Sequence, residues 1–273
     1  MRKLTLREVQ LIELDLLLEL QRRCDELGLT VYLSGGTLLG AIRHKGFIPW
    51  DDDIDVCMPR PDYERLFAES PSREGERYKL QYFKTGFARA FGRIYDTKTK
   101  LDRGALKEGP SGGSLWIDIM PVDGLPKDVE EVRKIYKKRD RLDWFTRLSL
   151  EKPWQGVTRV HGIIRTIFIS PILKLVGNKR LVAWTENLAL TYPYETSEYV
   201  GAITGGEYGV GEQMRKDEFE QAVDIEFEGH PFKTFSCWDS YLTGLYGDYM
   251  TPPPNAGGHT HFVSAWIDDE QSV

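Results

Sequence analysis

The irregular mixture of strand-like and helix-like segments in this chain predicts a compact α+β or α/β core with helical additions, not a Rossmann sheet. Three observations support that prediction. No regular βαβαβα alternation runs through the sequence, a stretch from about 129 to 190 reads mainly as helix, and short apolar strands grow directly out of polar loops. The 273 residues allow one large domain or two small ones, with enough chain to bury a substantial core. Hydrophobic residues make up 41% and charged residues 29%, a folded rather than disordered composition. The net charge of −6 argues against a protein that coats nucleic acid, which needs a basic surface. Cys24, Cys57 and Cys237 are odd in number and widely separated, so neither a disulfide framework nor a thiolate zinc site is indicated and a reducing compartment fits. The start, MRKLTLREVQ, lacks the apolar stretch of a signal peptide.

Thr5-Leu6-Arg7-Glu8 is a capping-box pattern, followed at helical spacing by Val9, Ile12, Leu16 and Leu20, with Gly28 as the stop. Residues 31–33 read as a buried strand, Gly35-Gly36 as a tight turn, and Thr37 as the cap of a helix carrying Leu38, Leu39 and Ile42. A strand over 53–57 ends at Pro59, and Pro61 opens another helix. Further strands are expected at 79–83, 90–95 and 115–119. The last third holds Gly-rich loops, a strand pair at 225–228 and 232–235, and a helix at 238–246.

The chemistry concentrates in Trp50-Asp51-Asp52-Asp53-Ile54-Asp55. On a strand, Asp51, Asp53 and Asp55 share one face while Ile54 and Val56 face a core. Carboxylates at that density repel unless a cation lies between them, and hard oxygen ligands suit Mg²⁺ or Mn²⁺. A solvated acidic loop is the competing reading. Upstream, Ser34-Gly35-Gly36-Thr37 joins a strand to a helix, so backbone N–H groups and the positive helix end can approach an anion. Leu115-Trp116-Ile117-Asp118-Ile119 sets Trp116 and Asp118 opposite two core isoleucines, and an aspartate in so apolar a strand needs a partner or a metal. Together these pieces suit a metal held against nucleotide phosphates while a hydroxyl attacks.

The run 33–56, LSGGTLLGAIRHKGFIPWDDDIDV, resembles the signature of the LicD family, bacterial phosphocholine transferases with fukutin-related ribitol-phosphate transferases as animal relatives. The resemblance continues in WIDIMPVDGL at 116–125 and in YGDYMTPP at 246–253, and is weakest in the basic middle. It implies an α+β fold with a nucleotidyltransferase-like mixed-sheet core. By that resemblance Gly35 and Gly36 take the glycine role, Asp53 and Asp55 ligate metal, Asp118 is the third carboxylate, and Asp51 matches a further acidic position. It also implies a CDP-activated alcohol donor, most often CDP-choline, whose phospho-alcohol passes to a sugar hydroxyl of a teichoic acid or lipopolysaccharide. Relatives transfer other phospho-alcohols, so the head group stays open. Nucleotidyl transfer and a non-catalytic membrane-associated scaffold are the alternatives.

Arg43, His44 and Lys45 are candidates for the donor diphosphate, against a solvated basic turn, and Arg93 is a candidate for a second phosphate clamp. A choline head needs aromatic rings, for which Trp50 and Trp116 flank the proposed ligands most closely. His259-Thr260-His261 lacks accompanying ligands and reads as a polar loop rather than a zinc site. The run Gly205-Gly206-Glu207-Tyr208-Gly209-Val210-Gly211 reads as a mobile loop, a candidate lid over the acceptor.

Charge organises the rest. Residues 127–180 hold fourteen Lys and Arg against six Asp and Glu, +8 locally, leaving −14 elsewhere. This suggests a catalytic core over 1–126, a basic helical insertion over 127–190, and a part over 191–273 that completes the core and acceptor site. The apolar run 163–175, with Arg133, Lys134, Lys137, Lys138, Arg139 and Arg141, has the composition of a segment that lies on an anionic membrane. Packing on its own domain is the competing reading. A lipid-linked glycan acceptor would place the protein at the cytoplasmic face of the membrane as a peripheral protein, with no nucleic-acid partner.

Overall fold

The computed structural model describes residues 1–102, 113–150, 169–252 and 264–268. Its elements in chain order begin with β1 (Arg2–Lys3), α1 (Leu6–Leu27), β2 (Tyr32–Leu33), α2 (Gly35–His44), β3 (Asp55–Pro59) and α3 (Arg60–Glu69). Then come β4 (Tyr78–Gln81), β5 (Gly92–Asp96), β6 (Thr99–Asp102), β7 (Trp116–Leu125) and α4 (Val129–Leu150). After α4 follow α5 (Ser170–Val176), α6 (Asn178–Ala189), β8 (Tyr199–Gly201), β9 (Met214–Arg215) and α7 (Lys216–Phe219). The chain closes with β10 (Ala222–Phe227), β11 (His230–Phe235), α8 (Trp238–Tyr246) and β12 (Ser264–Ile267).

Seven strands form the main sheet in the order β2-β3-β7-β5-β4, with β8 pairing the far end of β7 and β9 pairing β8. Among the described residues of this sheet only β3 and β7 run parallel; every other pair is antiparallel. This is the mixed α+β sheet that the sequence predicts. Residues from the C-terminal third thus extend the sheet that the N-terminal third begins. A second small sheet, β1-β12-β6, ties Arg2 and Lys3 to Ile267 and Trp266.

The helix α1 forms because Thr5 and Glu8 make the reciprocal cap and Gly28 closes the other end in the left-handed conformation (φ 63°). Its apolar stripe, including Leu16, Leu17 and Leu20, packs in one cluster with Ile54, Val56, Ile117 and Ile119. Those four residues alternate along β7, β3 and its lead-in with the side chains of the site. The sheet therefore has one face sealed by α1 and one face on which polar groups can stand.

Two boundaries differ from expectation. The ladder of β3 begins at Asp55, not Asp53, because its partner β7 first meets it where Asp118 lies opposite Asp55. Asp51 to Ile54 lead into the strand ahead of its ladder, and the Asp118 N–H donates to the Ile54 carbonyl at 3.1 Å. The second difference lies in α2, which begins at Gly35 with Ser34 at the N-cap. Thr37 does not cap it. Its hydroxyl sits in the first turn and accepts the Asp55 N–H at 2.9 Å, locking the helix start to the strand start.

Candidate active site

A cavity of about 680 Å³ opens over the polar face of the sheet, a size that suits a small-molecule substrate. Ser34, Gly35, Asp53, Asp55, Arg93, Trp116 and Asp118 all line it. The core of the site follows from strand register. Asp55 on β3 lies directly opposite Asp118 on β7, and Arg93 on β5 lies directly opposite Asp118 on the other side. One row across three neighbouring strands thus reads carboxylate, carboxylate, guanidinium. Arg93 Nη2 stands 3.5 Å from Asp118 Oδ1. Its guanidinium carbon lies 3.9 Å from the ring centre of Phe87 and 4.7 Å from that of Trp116.

The Gly-Gly turn lies against these acids. A Cβ on Gly35 would lie 3.5 Å from Asp55 Oδ2, an ordinary contact, but Gly35 has φ +52°, so a side chain here would strain the backbone. A Cβ on Gly36 would lie 3.3 Å from Asp51 Oδ2. Burial, followed by repulsion from Asp53, Asp118, Asp51 and Glu207, pushes the Asp55 carboxyl well above the usual carboxylate range. A positive charge placed among these groups would reverse that penalty.

The residues present fit a hard divalent cation. Mg²⁺ usually takes one or two protein carboxylates and completes its shell with water and substrate phosphates. Asp55 and Asp118, facing each other across adjacent strands with Asp53 at the same cavity, offer that share. Among the described residues no three His, Cys, Asp or Glu side chains stand close enough together to hold an ion by themselves, so water and substrate phosphates would have to supply much of its shell.

Other expectations land elsewhere. Arg43 lies at the far end of α2, where its Nη1 donates to the Tyr249 carbonyl at 2.9 Å and its Nε faces His44 Nε2 at 2.9 Å. Like Thr37, Gly36 and Asp51, it is not among the residues that line the cavity; Trp50 packs against the main core instead. Proximity in sequence to the acidic run misleads for Arg43, because eight residues of helix carry it about 12 Å along the axis from Gly35. His259 and His261 lie outside the described residues.

The structure adds residues that sequence reading passes over. Glu13 of α1 is 2% exposed beneath the acidic run, and burial together with Asp53, Asp52, Asp51 and Asp55 raises its carboxyl well above the usual range. Arg139, Asp143, Trp144 and Arg147 of α4 line the cavity at a helical spacing. Arg139 is buried there, so the sequence assignment of this cation to a membrane-facing surface is corrected. The Gly-rich segment lines the cavity too, through Gly205, Gly206, Glu207 and Tyr208. It is built into the wall: a Cβ on Gly211 would meet the Gly244 carbonyl at 2.5 Å. Glu212 behind it is buried, which pushes its carboxyl up to about 7, while the Tyr208 N–H donates to its Oε1 at 3.3 Å. The signal that could have found these groups is weak, since each reaches the site from a distant element.

Residues 28–144 match the family model for the LicD/FKTN/FKRP nucleotidyltransferase domain. The lipopolysaccharide cholinephosphotransferase LicD of Haemophilus influenzae is 31% identical over 271 residues, covering 96% of this chain and 98% of that protein. The chain belongs to the LicD family. Similarity to the human ribitol 5-phosphate transferase FKRP is 34% over 71 residues, 20% of this chain and 14% of that one. In this LicD-family chain, the matched region contains α2, the acidic run and all of β7, the elements that bring Gly35, Asp55 and Asp118 together.

Proposed function

We propose that this chain transfers phosphocholine from CDP-choline to a hydroxyl of a cell-surface glycan precursor. The observation that carries the reading is the register of Asp55 against Asp118 beside Gly35, in a chain similar along its whole length to a lipopolysaccharide cholinephosphotransferase. Asp53, Asp55 and Asp118 are the residues that would hold Mg²⁺ or Mn²⁺. Such an ion, when bound, offsets the diphosphate charge that an incoming hydroxyl must approach. Gly35 and the start of α2 receive the donor phosphates close to the backbone. Asp118 stands nearest the attacking hydroxyl and accepts its proton as the new oxygen–phosphorus bond forms and the bond to CMP breaks. Arg93, held against the rings of Phe87 and Trp116, balances the charge of Asp118 and of the phosphates. Ser34 keeps the glycine turn against β3 through its N–H, which donates to the Asp55 carbonyl at 3.2 Å.

Incubation of the protein with CDP-choline, Mg²⁺ and a lipid-linked glycan, read by mass spectrometry, tests this. The expected products are CMP and a phosphocholine-modified acceptor, lost on chelation of the metal. Release of pyrophosphate with a nucleotidyl-modified product would favour nucleotidyl transfer. No turnover, with no metal-dependent stabilisation by CDP-choline, would favour a scaffold.

The same proposal places the protein as a peripheral visitor to the cytoplasmic membrane face. Among the described residues no helix is long and apolar enough to cross a membrane. Lys134, Lys137, Lys138 and Arg141 are exposed on α4, beside exposed Trp144, Phe145 and Leu150, with exposed Ile172 and Leu175 on α5. Cations near an anionic surface contribute on the order of 1 kcal/mol each. Wild type should pellet with anionic vesicles at low salt, and charge reversal at Lys137, Lys138 and Arg141 should release it. A wild type that stays in the supernatant at every salt concentration rejects the docking.

A further inference from the structure

A trimethylammonium head neither donates nor accepts ordinary hydrogen bonds, so only aromatic faces and negative charge hold it selectively. We infer that Tyr208 and Tyr246, with Glu207 beside them, form the subsite for the cationic head group of the donor; the inference rests on the phosphocholine reading above. The two rings meet with centroids 5.0 Å apart and planes 77° apart, a corner that offers aromatic surface in two directions. Both line the cavity. Tyr208 is 44% exposed, so its ring is available to a ligand. A Cβ on Gly35 would lie 3.9 Å from the Tyr246 hydroxyl, which sets the corner next to the glycine turn and Asp55.

Electrostatic order across the sheet points the same way. Moving from β3 through β7 to β5, the site runs from the Tyr246 corner to Asp55, Asp118 and then Arg93. Glu207 lies close enough to the acidic end for its charge to act on both Asp55 and Glu212. A donor with anionic phosphates in its middle and a cation at one tip therefore gains most with the tip at the tyrosines. At the opposite end its cation would face Arg93.

The other aromatic candidates are less suited. Trp116 already has the Arg93 guanidinium over its ring, and Trp50 is not among the cavity-lining residues. Trp144 stands on α4 between Arg139 and Arg147, and the acids beside it are drawn into ion pairs: Asp140 with Arg139 at 3.1 Å, Asp143 with Arg147 at 3.9 Å.

Specificity between a charged and a neutral head group tests the subsite. The ratio of kcat/KM for CDP-choline to that for CDP-glycerol is measured in wild type, Tyr208→Leu, Tyr208→Phe and Glu207→Gln. Loss of a cation–ring contact should lower the ratio about tenfold in Tyr208→Leu, while Tyr208→Phe, which keeps the ring, should stay within about twofold of wild type. Glu207→Gln should lower it a few-fold through KM. Equal losses with both donors in Tyr208→Leu, or a Tyr208→Phe as damaged as Tyr208→Leu, overturn the subsite. A wild type that uses CDP-glycerol and not CDP-choline overturns the phosphocholine reading itself. Saturation-transfer NMR on CDP-choline without acceptor gives a readout independent of turnover. The trimethyl signal should fade in Tyr208→Leu while the cytidine signals persist, and a trimethyl signal equal to that of wild type rejects the assignment.

Discussion

Strand β7 carries two aspartates whose surroundings differ. Asp118 and Asp123 are five residues apart, so they face opposite sides of the sheet. Asp123 is 1% exposed and clasped by Arg60, whose Nε and Nη2 donate to its two oxygens at 2.5 and 2.9 Å. Arg60 Nη1 also donates to Glu186 of α6 at 3.2 Å, which joins the helical addition to the core. Asp118 instead keeps 22% of its side chain open, with its arginine at 3.5 Å and another carboxylate opposite. A carboxylate clasped in two hydrogen bonds is committed to structure. One held loosely among like charges has free energy to give to a ligand.

That contrast can be broken most severely at the open end. Asp55→Asn should lower turnover by about a thousandfold, equivalent to roughly 4 kcal/mol of barrier, while Tm stays equal or rises because repulsion is relieved. Asp53→Asn should behave similarly. Asp118→Asn should lower kcat more than it raises the donor KM, since its partner forms in the transition state. Near-normal turnover in these variants would erase the distinction between the two ends.

At the closed end the order reverses. Arg60→Ala leaves two buried carboxylates without their cation and should cost about 3–5 kcal/mol of stability, read by urea unfolding. Whatever protein remains folded should keep its donor KM. A smaller effect concerns pH. Burial, with Asp123 and Glu64 adding to it and Arg60 opposing it, pushes the Glu186 carboxyl from 4.5 up to about 7. The folded state therefore holds this proton more tightly than the unfolded chain. The stability it contributes is present below pH 4.5 and falls away as pH rises through about 7. Glu186→Gln keeps an acceptor for Arg60 and should remove that slope, worth on the order of 1–3 kcal/mol at pH 8. Unchanged pH dependence of Tm would show that Glu186 titrates as an ordinary glutamate. The smallest effect is expected from Arg93→Lys, which retains charge near Asp118 but forfeits the planar stacking. About 0.5–2 kcal/mol is at stake, and kcat should fall a few-fold.

Much of this could be read from residue order where alternation decides the outcome. Ile54, Val56, Ile117 and Ile119 mark the sealed face, so Asp55 and Asp118 fall on the other face without further information. The cap at Thr5 and the stop at Gly28 act locally and are legible for the same reason. What stayed hidden depends on contacts between distant elements. Tyr208 and Tyr246 meet across 38 positions, Glu13 arrives from α1, and Arg139 points inward because Val132, Ile135 and Tyr136 on the same helix bury against Leu125 and Ile203. Local proximity also misled. Arg43 and Trp50 flank the signature in sequence, yet helix length and core packing carry them away from the cavity.

The parallel pairing of β3 with β7 has a kinetic consequence. The two strands are joined by more than fifty residues that include α3, β4, β5 and β6. Closing a connection of that size costs chain entropy before any ladder bond repays it, whereas α1, with its own caps, can form from neighbours alone. The helices should therefore precede the Asp55–Asp118 pair during refolding. A slip of one residue in that pair would set Asp55 against Ile117 or Ile119 and turn its partner aspartate to the wrong face. Recovery of transferase activity should accordingly lag behind recovery of helical signal, making catalysis the strictest reporter of a correctly registered chain.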